Sequence, residues 1–155
     1  MRTTGAGPLG QPLDSVLSAE HLELENLLVE VARDPTTPGV VRELVENLDH
    51  RTRVHLAVCE HLLFPVLDGC GRPDLVAQAW EAHDDLRDRL IHLTDGGDAP
   101  PPDFDGFRRV LEDHMAFEDE VLVPAIAAAG RDSHGIGSRF STMADAGFIT
   151  AGPHD

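Results

Sequence analysis

Two residue pairs at one spacing carry the chemistry in this chain. His55 and Cys59 stand four apart, and so do His114 and Glu118. Residues at i and i+4 lie about 40° apart around a helix, so each pair can address one centre from one face. Imidazole, thiolate and carboxylate are metal donors, and such pairs on facing helices suit the two-metal arrangement of bundle cores. Both pairs sit in a phrase that the chain writes twice. "HLAVCEHLLFP" runs from His55 to Pro65, and "HMAFEDEVLVP" runs from His114 to Pro124. In the second copy the place at histidine plus four holds Glu118. In the first it holds Cys59, and the glutamate stands one place later as Glu60.

Helices must position these groups, and the apolar pattern supplies four. The spacing predicts helices over about 13–32, 40–67, 73–93 and 103–129, each with apolar residues three and four apart. Leu13, Val16, Leu17, Leu24, Leu28 and Val31 form the first stripe, with Asp14 or Ser15 as N-cap. The breaks "RDPTTPG", "DGCGRP" and "TDGGDAPPP" are rich in turn residues, and glycines suit helix ends. No stretch alternates with period two, so no strand is predicted. Short connections between successive helices give an all-α fold, an up-down-up-down four-helix bundle. The expected organisation is a flexible N-terminal segment over 1–12, the bundle over 13–130 and a loosely draped tail over 131–155.

On those stripes the histidines fall into register. His21 lies between Leu17 and Leu24, His55 below Leu48 and Thr52, His83 between Ala79 and Leu86, and His114 between Leu111 and Phe117. Each helix thus carries one histidine in the middle of its apolar face. A single core histidine is ordinarily satisfied by a backbone group or a carboxylate. Four at similar depth, with Glu118 and Cys59 one turn on, are a different matter. An unpaired buried polar group costs about 1–3 kcal/mol, and one metal centre relieves all of them together.

Composition removes other classes. The chain has 155 residues, enough for one domain with a real core, and a formal net charge of -16. That acidity argues against nucleic acid and against an anionic membrane surface as partners. No apolar run approaches the roughly 20 residues needed to cross a bilayer, and the N-terminus has no apolar signal core. The two cysteines, Cys59 and Cys70, are too few for a disulfide framework, so a cytoplasmic location is expected. The state expected is a monomer or a small homo-oligomer.

With these residues in view, the chain resembles the hemerythrin-like proteins, the HHE cation-binding domain. Their pattern is a histidine on the first helix, H-x-x-x-E on the second, a histidine on the third and H-x-x-x-E on the fourth. His21, His55, His83, His114 and Glu118 match it one by one, and "LFP" and "LVP" match the family's habit after each motif. The resemblance spans about residues 13–129. It implies a non-heme di-iron centre, with zinc or manganese as lesser alternatives, that meets a small diatomic or peroxide ligand. Two departures stand out. Arg87 occupies the place where oxygen-carrying members have a second histidine on the third helix, which leaves a more open metal. Cys59 replaces the first bridging glutamate.

Three readings stay open at that place. Cys59 is a thiolate ligand that softens the site; or Glu60 takes over through a local helix distortion; or Glu118 and solvent alone bridge the metals. Periodicity favours Cys59, because Glu60 lies about 140° from His55 on an ideal helix. Iron's preference for oxygen donors favours Glu60. Buried cysteine is also common as a small apolar side chain.

Two functions follow from the resemblance: a centre that decomposes peroxide or uses oxygen as an oxidase, or non-catalytic binding or sensing of oxygen, nitric oxide or iron. Arg87 would steer an anionic ligand. His50, His61, His92, His134 and His154 fall off the stripes, near helix ends or in the tail, and read as solvent-exposed. The "EDE" run of Glu118–Glu120 reads, beyond its first residue, as a solvated face. Glu20 and Glu81, each near a candidate histidine, read as exposed, with a supporting contact as the other option. Trp80 reads as core packing.

Overall fold

The protein is described by a computed structural model covering residues 10–33, 37, 39–95 and 103–148. The expected N-terminal flexibility before residue 10, the end of the tail after 148 and most of the first and third interhelical turns lie outside these residues. Helix α1 (Leu13–Arg33) buries Leu13, Val16, Leu17, His21, Leu24, Leu28 and Val31, the predicted stripe. Helix α2 (Val40–Val58) runs on through a π-helical segment (Cys59–Leu63) into α3 (Phe64–Gly69). Gly71, at a φ of 78°, turns the chain into α4 (Pro73–Thr94), where proline's missing N–H costs nothing at the first helical turn. Helix α5 (Phe104–Phe117), a second π-helical segment (Glu118–Leu122) and α6 (Val123–Ala128) form the fourth rod. Among the described residues there is no strand.

Both π segments have a cause in the sequence. Pro65 and Pro124 lack an N–H, and their rings would strike the carbonyls of His61 and Glu120 in a regular α-helix. The chain widens one turn just before each proline. Phe64 N–H then bonds to the carbonyl of Cys59, and Val123 N–H to the carbonyl of Glu118, five residues back in each case. The two widened turns begin at Cys59 and Glu118, the places at histidine plus four.

Packing divides the core in two. One apolar cluster gathers Leu17, Val58, Leu63, Leu67, Ala79 and Leu122 among others, and a second gathers Leu24, Leu28, Leu48, Leu86, Leu90 and Leu111. His21, His83 and His114 fall between the two sets along their helices, with His55 beside them. Each fully buried leucine contributes about 1.5–3 kcal/mol, so the apolar clusters carry the fold and the layer between them is free to be polar.

The sequence reads 131–155 as a tail; the structure differs over Ser133–Asp145, which forms helix α7. The Asp132 carboxylate caps it by accepting from Gly135 N–H at 3.0 Å. Ile136, Phe140 and Ala144, spaced four apart, bury one face in the cluster that contains Leu13 and Leu17. The approach to the start of α1 is close. A Cβ on Gly137 would lie 2.3 Å from the Gln11 carbonyl oxygen, so glycine is required there.

Candidate metal centre

Four helices deliver one imidazole each to the polar layer. His21 (4 % exposed), His55 (0 %), His83 (0 %) and His114 (2 %) are buried, and so is Glu118 at 0 %. Their Nε2 atoms converge. Glu118 Oε1 lies 2.8 Å from His21 Nε2 and 2.9 Å from His55 Nε2, while its Oε2 lies 3.2 Å from His114 Nε2. His83 Nε2 faces His114 Nε2 at 3.0 Å. The donors form two triads that share the carboxylate: His21, His55 and Glu118, then His83, His114 and Glu118. Within each triad the donor atoms lie within 4.8 Å of one another.

Electrostatics prepare these groups. Burial works against a charge on Glu118, but His55 and His114 outweigh it and hold the carboxyl well below its ordinary value. Burial pushes His83 down to about 4 despite the opposing hydrogen bond of Glu60, so the imidazole is neutral and a lone pair is available at neutral pH. An ionised carboxylate among imidazoles, sealed from water, is the chemistry of a cation site. The Nδ1 atoms of His55 and His114 have no hydrogen-bond partner, so each of these buried rings is only half satisfied by protein. The donor set fits a metal of the iron, zinc or manganese kind.

Cys59 and Glu60 part company. The Cys59 thiol donates to Glu118 Oε2 at 3.1 Å and lies 3.7 Å from His55 Nε2. Burial, then the neighbouring Glu118 charge, pushes its pKa up to about 12, so it is a protonated thiol. Glu60 points across to α4. Its Oε2 accepts from His83 Nδ1 at 2.6 Å and from Arg87 Nη1 at 2.5 Å, and its Oε1 accepts from Arg87 Nη2 at 2.9 Å. Arg87 is itself buried, and its guanidinium spans both oxygens of Glu60. Burial opposes the Glu60 charge, but the hydrogen bonds of His83 and Arg87 prevail and lower its pKa.

One contact escapes the sequence reading. Asp119 Oδ2 lies 3.1 Å from His21 Nδ1, although its side chain is 45 % exposed. The signal was its offset: Asp119 stands five residues after His114 as Glu60 stands five after His55. Glu20 Oε1 stays 3.7 Å from His55 Nδ1, beyond a hydrogen bond. His50, His61, His92 and His134 are not among the two triads, and His61 packs on Phe148 outside the layer.

Aromatic rings wall the layer. Phe140 of α7 lies over His55 with ring centroids 5.9 Å apart, and Phe64 lies 5.0 Å from His83. Trp80 packs on Phe64 as core. Two surface grooves lead inward, one along α4 and α5 to His114, the other along α1 and α5 to His21.

Comparison with known proteins agrees with this geometry. No curated protein and no solved structure matches the chain. A family model does, described as Hemerythrin HHE cation binding domain, over residues 13–126. That span holds His21, His55, His83 and His114, both π segments and Glu118, and leaves α7 outside. The chain belongs to the hemerythrin HHE cation-binding domain family.

Proposed function

We propose that the protein holds a non-heme di-iron centre on His21, His55, His83, His114 and Glu118, and that this centre reacts with peroxide or oxygen. The observation that carries the reading is the meeting of four buried imidazoles, one per rod, in two triads that share Glu118, with three Nε2 atoms against its carboxylate and His83 Nε2 against His114. Iron bound there would supply the redox chemistry that these side chains lack.

The chain's own residues have distinct tasks. Glu118 is shared by both triads and brings one negative charge that would offset part of the charge of any bound metal. His83 is neutral before any metal arrives, so it gives up no proton on binding. Cys59 stands against Glu118 as a thiol donor, in line to become a ligand if it loses its proton. Phe140 and Phe64 exclude bulk water from the layer, which favours small ligands over large substrates. That enclosure also supports the second reading, reversible binding of oxygen or nitric oxide without turnover.

The test is metal analysis and an optical spectrum of protein purified without added metal, followed by hydrogen peroxide. About two irons per chain, with oxygen release or a spectral change that the apoprotein lacks, supports the reading. Reversible spectral changes with no consumption of peroxide support the binding role instead. No iron uptake sinks both.

A further inference from the structure

We propose that Asp119 and Glu60 are matched positioning residues, which fix His21 and His83 from behind and make the two metal positions unequal in lability. The inference rests on the metal centre proposed above and concerns what holds its ligands.

The argument starts from the repeated phrase. Each copy places a carboxylate five residues after its histidine, one place into the widened turn. Each carboxylate reaches past its own rod to the histidine of another. Glu60, on the second rod, meets His83 Nδ1 on α4 at 2.6 Å. Asp119, on the fourth rod, meets His21 Nδ1 on α1 at 3.1 Å. The in-phrase histidines, His55 and His114, have no carboxylate at hydrogen-bond distance on Nδ1, the nearest to His55 being Glu20 at 3.7 Å. The repeat therefore divides its labour: the histidine and the residue four later face the layer, while the residue five later supports a neighbour's histidine.

Support of this kind has a known effect. A carboxylate that accepts from Nδ1–H settles the tautomer, so that Nε2 presents a lone pair, and it fixes the ring's orientation. The two supports differ in stiffness. Glu60 is 6 % exposed and pinned by both arms of Arg87. Asp119 is 45 % exposed, and its contact is 0.5 Å longer (3.1 against 2.6 Å). The ring of His83 is thus clamped and the ring of His21 is held loosely. The metal on His21 and His55 exchanges faster than the metal on His83 and His114.

The experiment uses the full chain loaded with zinc, which is diamagnetic, and challenged with excess chelator. Metal content of the wild type comes first: no bound zinc overturns the proposed centre and this inference with it. Given bound zinc, release in two phases is expected. Asp119→Ala speeds the fast phase about tenfold, abolishes the slowly exchanging Nδ1–H NMR signal of His21 and spares that of His83. Asp119→Glu restores both. Glu60→Gln speeds the slow phase. Glu120→Gln, on the exposed neighbour in the same groove, leaves all rates unchanged. Two outcomes overturn the proposal: wild-type release and an intact His21 signal in Asp119→Ala, or an equal acceleration in Glu120→Gln, which would reduce the effect to surface charge.

Discussion

The Cys59 thiol donates to Glu118 Oε2 at 3.1 Å, so the two residues at histidine plus four hydrogen-bond each other across the layer. Two carboxylates at these positions would repel each other without a metal between them. A thiol and a carboxylate do not. Cys59 gives the metal-free core an internal partner for Glu118.

That contact makes the two cysteines chemically unlike. Cys59 is fully buried with a pKa near 12, whereas Cys70 is partly exposed. At mildly alkaline pH, iodoacetamide is expected to label Cys70 and spare Cys59 in the folded apoprotein. Peptide mass spectrometry reads the result, and preferential labelling of Cys59 would contradict the buried thiol.

His114 and His134 give a sharp contrast in metal content. His114→Ala removes a donor from one triad and is expected to empty or halve the centre, while His134→Ala changes nothing. Elemental analysis of both variants decides. Equal metal in the two would remove His114 from the site.

Glu60 links stability to pH. Its folded pKa lies below the ordinary glutamate value of 4.5, so its charge stabilises the fold above that value and the contribution is lost as pH falls below it. Glu60→Gln removes the buried carboxylate that both arms of Arg87 hold and is expected to cost about 3 kcal/mol at pH 7. Urea melts of the apoprotein should show wild type and variant converging as the pH falls through the lowered pKa of Glu60. A constant gap across that range would disprove the linkage.

Phe140 measures what α7 contributes. Its side chain is fully buried against His55 and the cluster around Leu13. Phe140→Ala is expected to cost about 3–5 kcal/mol, against less than about 0.5 kcal/mol for the exposed His61→Ala. Thermal unfolding of the two variants provides the check.

The rods and the histidine layer were legible in the sequence because they rest on one periodicity. Leu17, His21 and Leu24, or Ala79, His83 and Leu86, follow helical spacing, and burial obeys it. Asp119 was not legible. On an ideal helix its place at histidine plus five turns away from the layer, yet from the turn widened ahead of Pro124 it reaches the outer nitrogen of His21. Helix α7 was missed for another reason. Ile136, Phe140 and Ala144 are three apolar residues among glycines and serines, too few to signal a helix that neighbours, rather than propensity, hold in place.

The division of the core has a mechanical consequence. A bundle whose two greasy halves meet across a sheet of imidazoles has a built-in plane of weakness, because little apolar contact crosses it. Cations in that plane would act as rivets, tying both halves to shared donors on every rod. Hydrogen exchange near the plane would then report occupancy: two blocks that open separately when it is bare, and one cooperative body when it is filled.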